Sequence, residues 1–396
     1  GIDFAGRATI FEYRARWLIG ADLRANTVFA ARRLIASLEL AAALGMFLAA
    51  LDISVNVALP SIRTAFATDL QTVQWVIVVF IATRAGLVMG AGSFADRFGL
   101  KPVYIFGTVT YLVAMVVISL SPTLPMVVGF RVLQALGTGC LFAVSPAMVA
   151  QIFPRHRQGL GMGFTTASQA LGMLAGTLGA GLLVQQLGWQ AAFAGRIPFL
   201  LVAIALGTIV LRRSPVLVAH PAFDLKGAAA LMAALMCLVI GLRLGASSGW
   251  TAPPVLVLLP LAPVFLLLFW WLEGQAAWPI IPKTLLSIGG FRVSTFGIFI
   301  AYFGVFVIWF IFPFYISDGL ARGPLTLGVM LALMASLNVV CSLAGGWVSD
   351  KITPSTVGIC GLVVLAVGLL SVGALDTASS LLQVGIRIAV VGAGLG

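Results

Sequence analysis

From Ser37 onward the chain alternates between apolar runs, each about 20 residues or longer, and short polar breaks. The runs lie at 37–60, 72–95, 101–121, 124–152, 158–186, 190–211, 225–245, 253–272, 290–316, 325–349, 355–375 and 378–396. A run of this length carries a helix across the hydrocarbon core of a bilayer. Inside that core only a helix or a closed barrel satisfies its own backbone. The pattern predicts an all-α polytopic membrane protein with twelve spanning helices in this sequence. The last run reaches Gly396 with no polar stop.

Composition agrees. Of 396 residues, 61% are hydrophobic and 9% are charged, and the mean hydropathy is +1.12. Soluble domains carry about 25% charged residues. The net charge of +11 is not a nucleic-acid footprint, because the basic residues gather on no single face. They fall in alternate breaks instead. With the N-terminus placed in the cytoplasm, sixteen of the 23 Lys and Arg lie in inside segments and three in outside ones. That asymmetry sets the expected orientation.

Residues 1–36 mix six arginines with Phe4, Phe11, Trp17 and Leu23. They read as a cytoplasmic tail with an Arg-rich anchor, the alternative being an interfacial amphipathic helix. No secretory leader is expected, because the first apolar run starts too far in. The chain opens on Gly rather than Met, as a sequence whose start lies upstream would. Cys140, Cys237, Cys341 and Cys360 sit in apolar runs without paired spacing, and the two histidines are in polar breaks. Neither metal nor disulfide is expected, and no cofactor.

Two breaks echo each other. Gly92-Ser93-Phe94-Ala95-Asp96-Arg97-Phe98-Gly99-Leu100-Lys101 and Gly346-Trp347-Val348-Ser349-Asp350-Lys351 both place a Gly four residues before an Asp that a basic residue follows. Repeated units of this kind mark transporters built from two similar halves. The echoes stand eight helices apart, where a plain duplication of six would stand six apart. The runs 225–245 and 253–272 are therefore expected as two extra helices between the halves. Only four runs then remain for the second half, so the sequence reads as part of a fourteen-helix chain.

Asp52 is the only carboxylate well inside a run. Counting about 1.5 Å of rise per residue back from Pro60 places it roughly 12 Å below the outer face. Arg84, Arg131 and Arg196 come out at roughly 10–15 Å by the same count. A buried charge costs several kcal/mol unless paired or protonated, so it signals function by default. At least one of these arginines should pair with Asp52. A carboxylate balanced between desolvation and a nearby guanidinium can load and release a proton. Gln134 follows Arg131 by one helical turn.

These residues resemble the major facilitator superfamily, and within it the fourteen-helix drug/proton antiporter branch. The resemblance covers nearly the whole chain from Ala42. It is carried by Leu51-Asp52-Ile53-Ser54-Val55-Asn56-Val57-Ala58-Leu59-Pro60, by the Gly92–Lys101 motif, by Arg131-Val132-Leu133-Gln134-Ala135-Leu136-Gly137, and by Trp189 to Pro198. The chain departs from the pattern at Ala175-Gly176-Thr177-Leu178-Gly179-Ala180, which lacks the fifth-helix Pro, and at Arg84 and Arg196. The resemblance implies that Asp96 latches the basic end of the two halves, contacting the start of a helix in the facing half, with Asp350 in a weaker matching part. The gating set is then Gly92, Asp96, Arg97, Gly99, Lys101 and Asp350. Gly159, Gly163, Gly172 and Gly176 are small-residue positions for close helix approach.

The expected architecture is a major facilitator fold: a tail (1–36), an N-terminal six-helix bundle (37–211), a linker with two spanning helices (212–289) and a partial C-terminal bundle (290–396). The expected function is proton-coupled efflux of small organic molecules by alternating access, as a monomer in the cell membrane. Asp52 would be the proton carrier and Arg131 its partner, with Arg84, Asn56, Gln134 and Arg196 lining the substrate cavity. Uptake of an anionic or zwitterionic solute by symport stays open, as does a non-transporting relative. Phe306, Trp309 and Phe310 read as core packing, with an aromatic cage as the alternative. No nucleophile–base pair suggests an enzyme.

Overall fold

The computed structural model describes residues 25–153, 157–211, 224–276, 279–281, 283–322 and 324–396. Every regular element among them is helical. The first is α1 (Ala25–Ala50), continued through a 3₁₀ turn (Leu51–Ile53) into α2 (Ser54–Ala65). Then come α3 (Leu70–Val73), α4 (Trp75–Phe98), α5 (Leu100–Ser119), α6 (Leu124–Ile152), α7 (Gln158–Leu187), α8 (Ala191–Ala194) and α9 (Ile197–Val210). A hairpin of α10 (Leu225–Ser248) and α11 (Pro253–Gln275) leads to the short α12 (Lys283–Ser287). The remainder is α13 (Gly289–Phe314) with a π turn (Tyr315–Gly319), α14 (Pro324–Ser349), α15 (Pro354–Gly373) and α16 (Leu381–Leu395).

Eleven of the described helices are long and apolar enough to cross a membrane, and Leu381–Leu395 is a shorter apolar one. They correspond one for one with the twelve expected runs, which makes this a multi-pass membrane protein. Two expectations shift. Residues 25–36 are not a tail but the first turns of α1; residues 1–24 and the first part of the linker, 212–223, lie outside the described residues. The motif from Gly92 to Lys101 is not a loop either. Residues 92–98 continue α4, and the chain turns at Gly99 alone, where φ is 87°. Only glycine occupies that region without steric cost. Gly92 therefore makes no turn.

Three cores organise the helices. The first joins α1, α2 and α4–α9 around Tyr104, Tyr111, Met115 and Phe193. The second joins α13–α16 around Trp309, Phe312, Met334 and Ile388. Ile53 and Met173, from the first set of helices, pack against this second core. The third holds the hairpin together through Ala230, Leu231 and Phe269. The hairpin lies on α4, and Arg243 donates to the Gln71 carbonyl at 2.9 Å.

The two halves meet most extensively where α14 crosses α7. The crossing is made by glycines: a β-carbon on Gly163 would come within 3.2 Å of the Gly346 α-carbon, and one on Gly159 within 2.7 Å of the Gly346 carbonyl oxygen. Small residues at such a point let backbones touch. Gly176 does the same for α7 against the 3₁₀ turn, 3.1 Å from the Leu51 carbonyl oxygen. With no proline in it, α7 runs unbroken for 30 residues.

Candidate functional site

Asp52 sits in the single 3₁₀ turn that interrupts the first spanning helix. Such a turn tightens the backbone and changes the direction of the side chains it carries. Neighbouring helices supply donors to the carbonyls just before it. The Tyr111 hydroxyl donates to the Leu48 carbonyl at 3.3 Å, and Arg84 reaches the Ala49 carbonyl at 3.5 Å.

The Asp52 carboxylate accepts from three side chains. Arg131 donates from Nη1 to Oδ1 at 2.5 Å and from Nη2 to Oδ2 at 3.1 Å. This two-pronged fit is what a planar guanidinium offers a carboxylate. Gln134 donates from Nε2 to Oδ1 at 2.6 Å, and Arg196 donates from Nη1 to the same oxygen at 3.2 Å. Arg131 is 1% exposed and Arg196 3%.

Both guanidiniums are anchored elsewhere too. Arg131 donates from Nε to the Val76 carbonyl at 2.8 Å and lies 4.1 Å from the Phe80 ring centroid. Arg196 stands between α8 and α9, where the sixth spanning helix breaks. It donates to the Tyr111 hydroxyl at 3.1 Å and to Ser54 Oγ; its Nε has no partner. Ser54 and Tyr111 were not legible as partners, because serine and tyrosine within apolar runs carry no distinguishing pattern.

The expected substrate-cavity set divides. Gln134 and Arg196 are committed to Asp52. Arg84 stacks on Phe142, 4.6 Å from its centroid, and Asn56 is exposed on α2. None of the four lines the cavity that the structure holds between the halves. That cavity, with about 470 Å³ of empty volume including its open mouth, is bounded by Ile53, by Gln169 and Met173 of α7, by Tyr302 and Trp309 of α13 and by Asn338 of α14, among others. Phe306 also lines it, so Phe306 and Trp309 belong to the cavity wall rather than to packing alone; the Phe310 side chain lies outside the described residues. Gln169 and Asn338 had a signal that went unused: each is an uncharged polar side chain deep in an apolar run, and such groups mark pathways.

At the end of the bundle that carries Arg97 and Lys101, the two echoing motifs make different contacts. Asp350 accepts from the Gly159 amide at 2.8 Å and from the Leu160 amide at 3.0 Å. These belong to the first turn of α7, whose N–H groups have no intrahelical acceptor. Asp96, expected to be the stronger latch, is exposed, and a β-carbon on Gly92 would meet nothing within 4 Å. Gly346 and Asp350 stand one helical turn apart on the face that α7 covers. Lys101 donates to the Thr208 carbonyl in the last turn of α9 at 2.9 Å, and Arg97 stacks 5.2 Å from the Phe98 centroid.

The sequence model of the Major Facilitator Superfamily matches residues 42–226. Among curated relatives, the chain is 27% identical over 358 residues to the tetracenomycin C resistance and export protein of Streptomyces glaucescens, covering 90% of this chain and 66% of that one. It is 30% identical over 307 residues to the methylenomycin A resistance protein of Bacillus subtilis, covering 76% and 65%. A riboflavin transporter of Clostridioides difficile is 24% identical, with 89% and 76% covered. This chain thus spans slightly less than two thirds of the length of either resistance protein. Among solved structures, the proton:xylose symporter XylE matches with a TM-score of 0.63 at 17% identity, over 92% of this chain and 80% of that one. That likeness speaks for the fold. The family model thus matches a little under half of this chain, in its N-terminal part, while the likeness of fold extends over nearly all of it.

Proposed function

We propose that this chain is the working part of a secondary transporter that moves small organic molecules out across the cell membrane in exchange for protons, by alternating access. One observation carries the reading. Asp52, the buried carboxylate held by Arg131, Gln134 and Arg196, is the immediate neighbour of Ile53, which lines the cavity between the halves. Both lie in the same 3₁₀ turn. Any change at the carboxylate is therefore passed through one peptide unit to the cavity wall.

Two guanidiniums facing one carboxylate correspond to its ionised form. A proton on Asp52 removes the charge that holds both. The Arg196 contact is the longer and single one, so it releases first, and the 3₁₀ turn is free to rearrange with Ile53. In the arrangement seen, Asp350 ties the second half to the start of α7, a contact suited to holding the end that carries the basic residues. Two charge-assisted hydrogen bonds, with about 0.3–1 kcal/mol more from the charge beside the helix N-terminus, bias a rocking equilibrium without driving it. The excess of basic residues at that end supports a cytoplasmic placement. The names of the resistance and export relatives support efflux of small organic molecules. Three guanidiniums beside one carboxylate also favour a second reading, proton-coupled uptake of an anionic or zwitterionic solute.

The test is proteoliposomes of the full chain with an imposed pH gradient, with internal pH followed as lipophilic cations, neutral aromatics and organic anions are added. Solute-dependent proton movement in the wild type and its loss in Asp52→Asn are expected. Proton movement that survives Asp52→Asn would reduce Asp52 to a structural ion pair.

A further inference from the structure

We infer that the cavity between α7, α13 and α14 is a binding site for planar aromatic molecules that carry a carbonyl acceptor and no positive charge. The inference rests on the transport reading for its biological use, not for its chemistry. The apolar part of the wall is flat and aromatic, with Phe306 and Trp309 from α13 and Met173 opposite on α7. Planar rings stack on such surfaces, and thioethers add favourable contact with ring edges.

The polar part offers hydrogen-bond donors and no charge. Trp309 lines the cavity, is 7% exposed, and its buried indole N–H has no partner among the described residues. An indole nitrogen can only donate, so this group asks for an acceptor. A buried donor left unmade costs more than a made bond contributes. Asn338, 5% exposed, uses its carbonyl to accept from Ser342 at 3.3 Å. Asn338 also lines the cavity, and its amide N–H₂ is a donor group. Tyr302 lies within side-chain hydrogen-bonding reach of Gln169. No carboxylate is among the described residues that line the cavity.

The surrounding charge points the same way. Behind Ile53 stand Asp52 and its two guanidiniums, Arg131 and Arg196. Arg84 adds a third that has no carboxylate of its own and lies near Tyr302. Three guanidiniums against one carboxylate leave a positive field at the cavity, which repels a cationic ring and suits the negative end of a carbonyl dipole. The favoured solutes are thus distinguished from lipophilic cations of the same shape.

The test is equilibrium binding to the full chain in lipid nanodiscs, using three fluorescent tricyclic probes of matched size. N-methylacridone is neutral with one ring carbonyl, N-methylacridinium is a permanent cation, and anthracene lacks an acceptor. N-methylacridone is expected to bind at least tenfold more tightly than N-methylacridinium and several-fold more tightly than anthracene. Trp309→Phe keeps the ring and deletes the N–H, and is expected to weaken N-methylacridone about five- to tenfold, in line with one neutral hydrogen bond, without changing anthracene. Asn338→Asp places a carboxylate in the wall and is expected to shift preference toward N-methylacridinium. Equal affinity for cation and neutral probe, unchanged affinity in Trp309→Phe, or no saturable binding of N-methylacridone to the wild type would each overturn the assignment. Transport is read separately. Binding that follows this pattern without proton-linked transport of any solute sinks the transport reading and leaves the site. Proton-linked transport in a chain that fails the binding pattern does the reverse.

Discussion

Asp350→Asn isolates the latch at the basic end. In the wild type each carboxylate oxygen accepts one backbone N–H from the start of α7, at 2.8 and 3.0 Å. Hydrogen bonds to a charged acceptor contribute about 1.5–3 kcal/mol each, against about 0.5–1.5 for neutral ones. Asparagine keeps one acceptor oxygen of similar reach and loses the charge and the second acceptor. Its NH₂ would face the remaining N–H. The loss expected is about 1.5–2 kcal/mol, after the partial exposure of the site is allowed for. At a factor of ten per 1.4 kcal/mol, opening of this contact becomes about 10- to 30-fold more frequent. The assay is hydrogen exchange of the peptide spanning Gly159–Gly163 in nanodiscs, because exchange there reports local opening of those amides. Asp96→Asn is the matched control: its side chain is exposed, so the α7 amides should exchange as in wild type. Unchanged exchange in Asp350→Asn, or an equal increase in Asp96→Asn, would refute the assignment of the latch to the second repeat.

Two further outcomes are expected. Arg131→Met leaves Asp52 with a single, longer ion pair and the Val76 carbonyl without its side-chain donor, and should cost about 3–5 kcal/mol. Chemical unfolding in detergent checks it, and the double variant with Asp52→Asn should lose less than the sum of the two singles, because the uncompensated charge is gone. At the start of α3, the Thr72 hydroxyl and the Thr72 amide, the latter bonding Asp69 at 3.3 Å, hold that carboxyl below its usual 3.8. A lowered folded-state value means the contact is present above the unfolded-state value and is lost as pH falls through the folded one. Thr72 amide exchange, corrected for intrinsic rate, should therefore be independent of pH from 8 to 5 and lose protection only below about 4; protection lost already at pH 6 would count against it.

Much of this protein was legible one residue at a time. The bilayer demands long apolar helices, so the twelve runs followed from hydropathy alone, and their ends moved by only a few residues except at α1. There, Arg32 and Arg33 hid helical turns that a hydropathy window does not credit. The pairing of Asp52 with Arg131 was legible as well, because isolated charges in hydrocarbon must find one another and only four ionisable side chains shared that depth.

What the sequence left undecided are matters of rotation and contact. Depth along a helix is a count of residues, but which way a side chain faces depends on where the helix breaks. The 3₁₀ turn at Leu51–Ile53 and the break at Gly195-Arg196 bring Arg196 onto Asp52 while Arg84, at a similar depth, goes to Phe142 instead. The two echoing motifs are nearly equal as strings, yet it is Asp350 that bonds a helix start, because α7 lies on its face. The cavity is a property of surfaces that belong to different halves. Sequence alone determined the helices and the buried charges, through local rules of hydrophobicity and charge pairing. Tertiary packing decided which polar groups are spent on one another and which, like the Trp309 indole N–H, have no partner among the described residues.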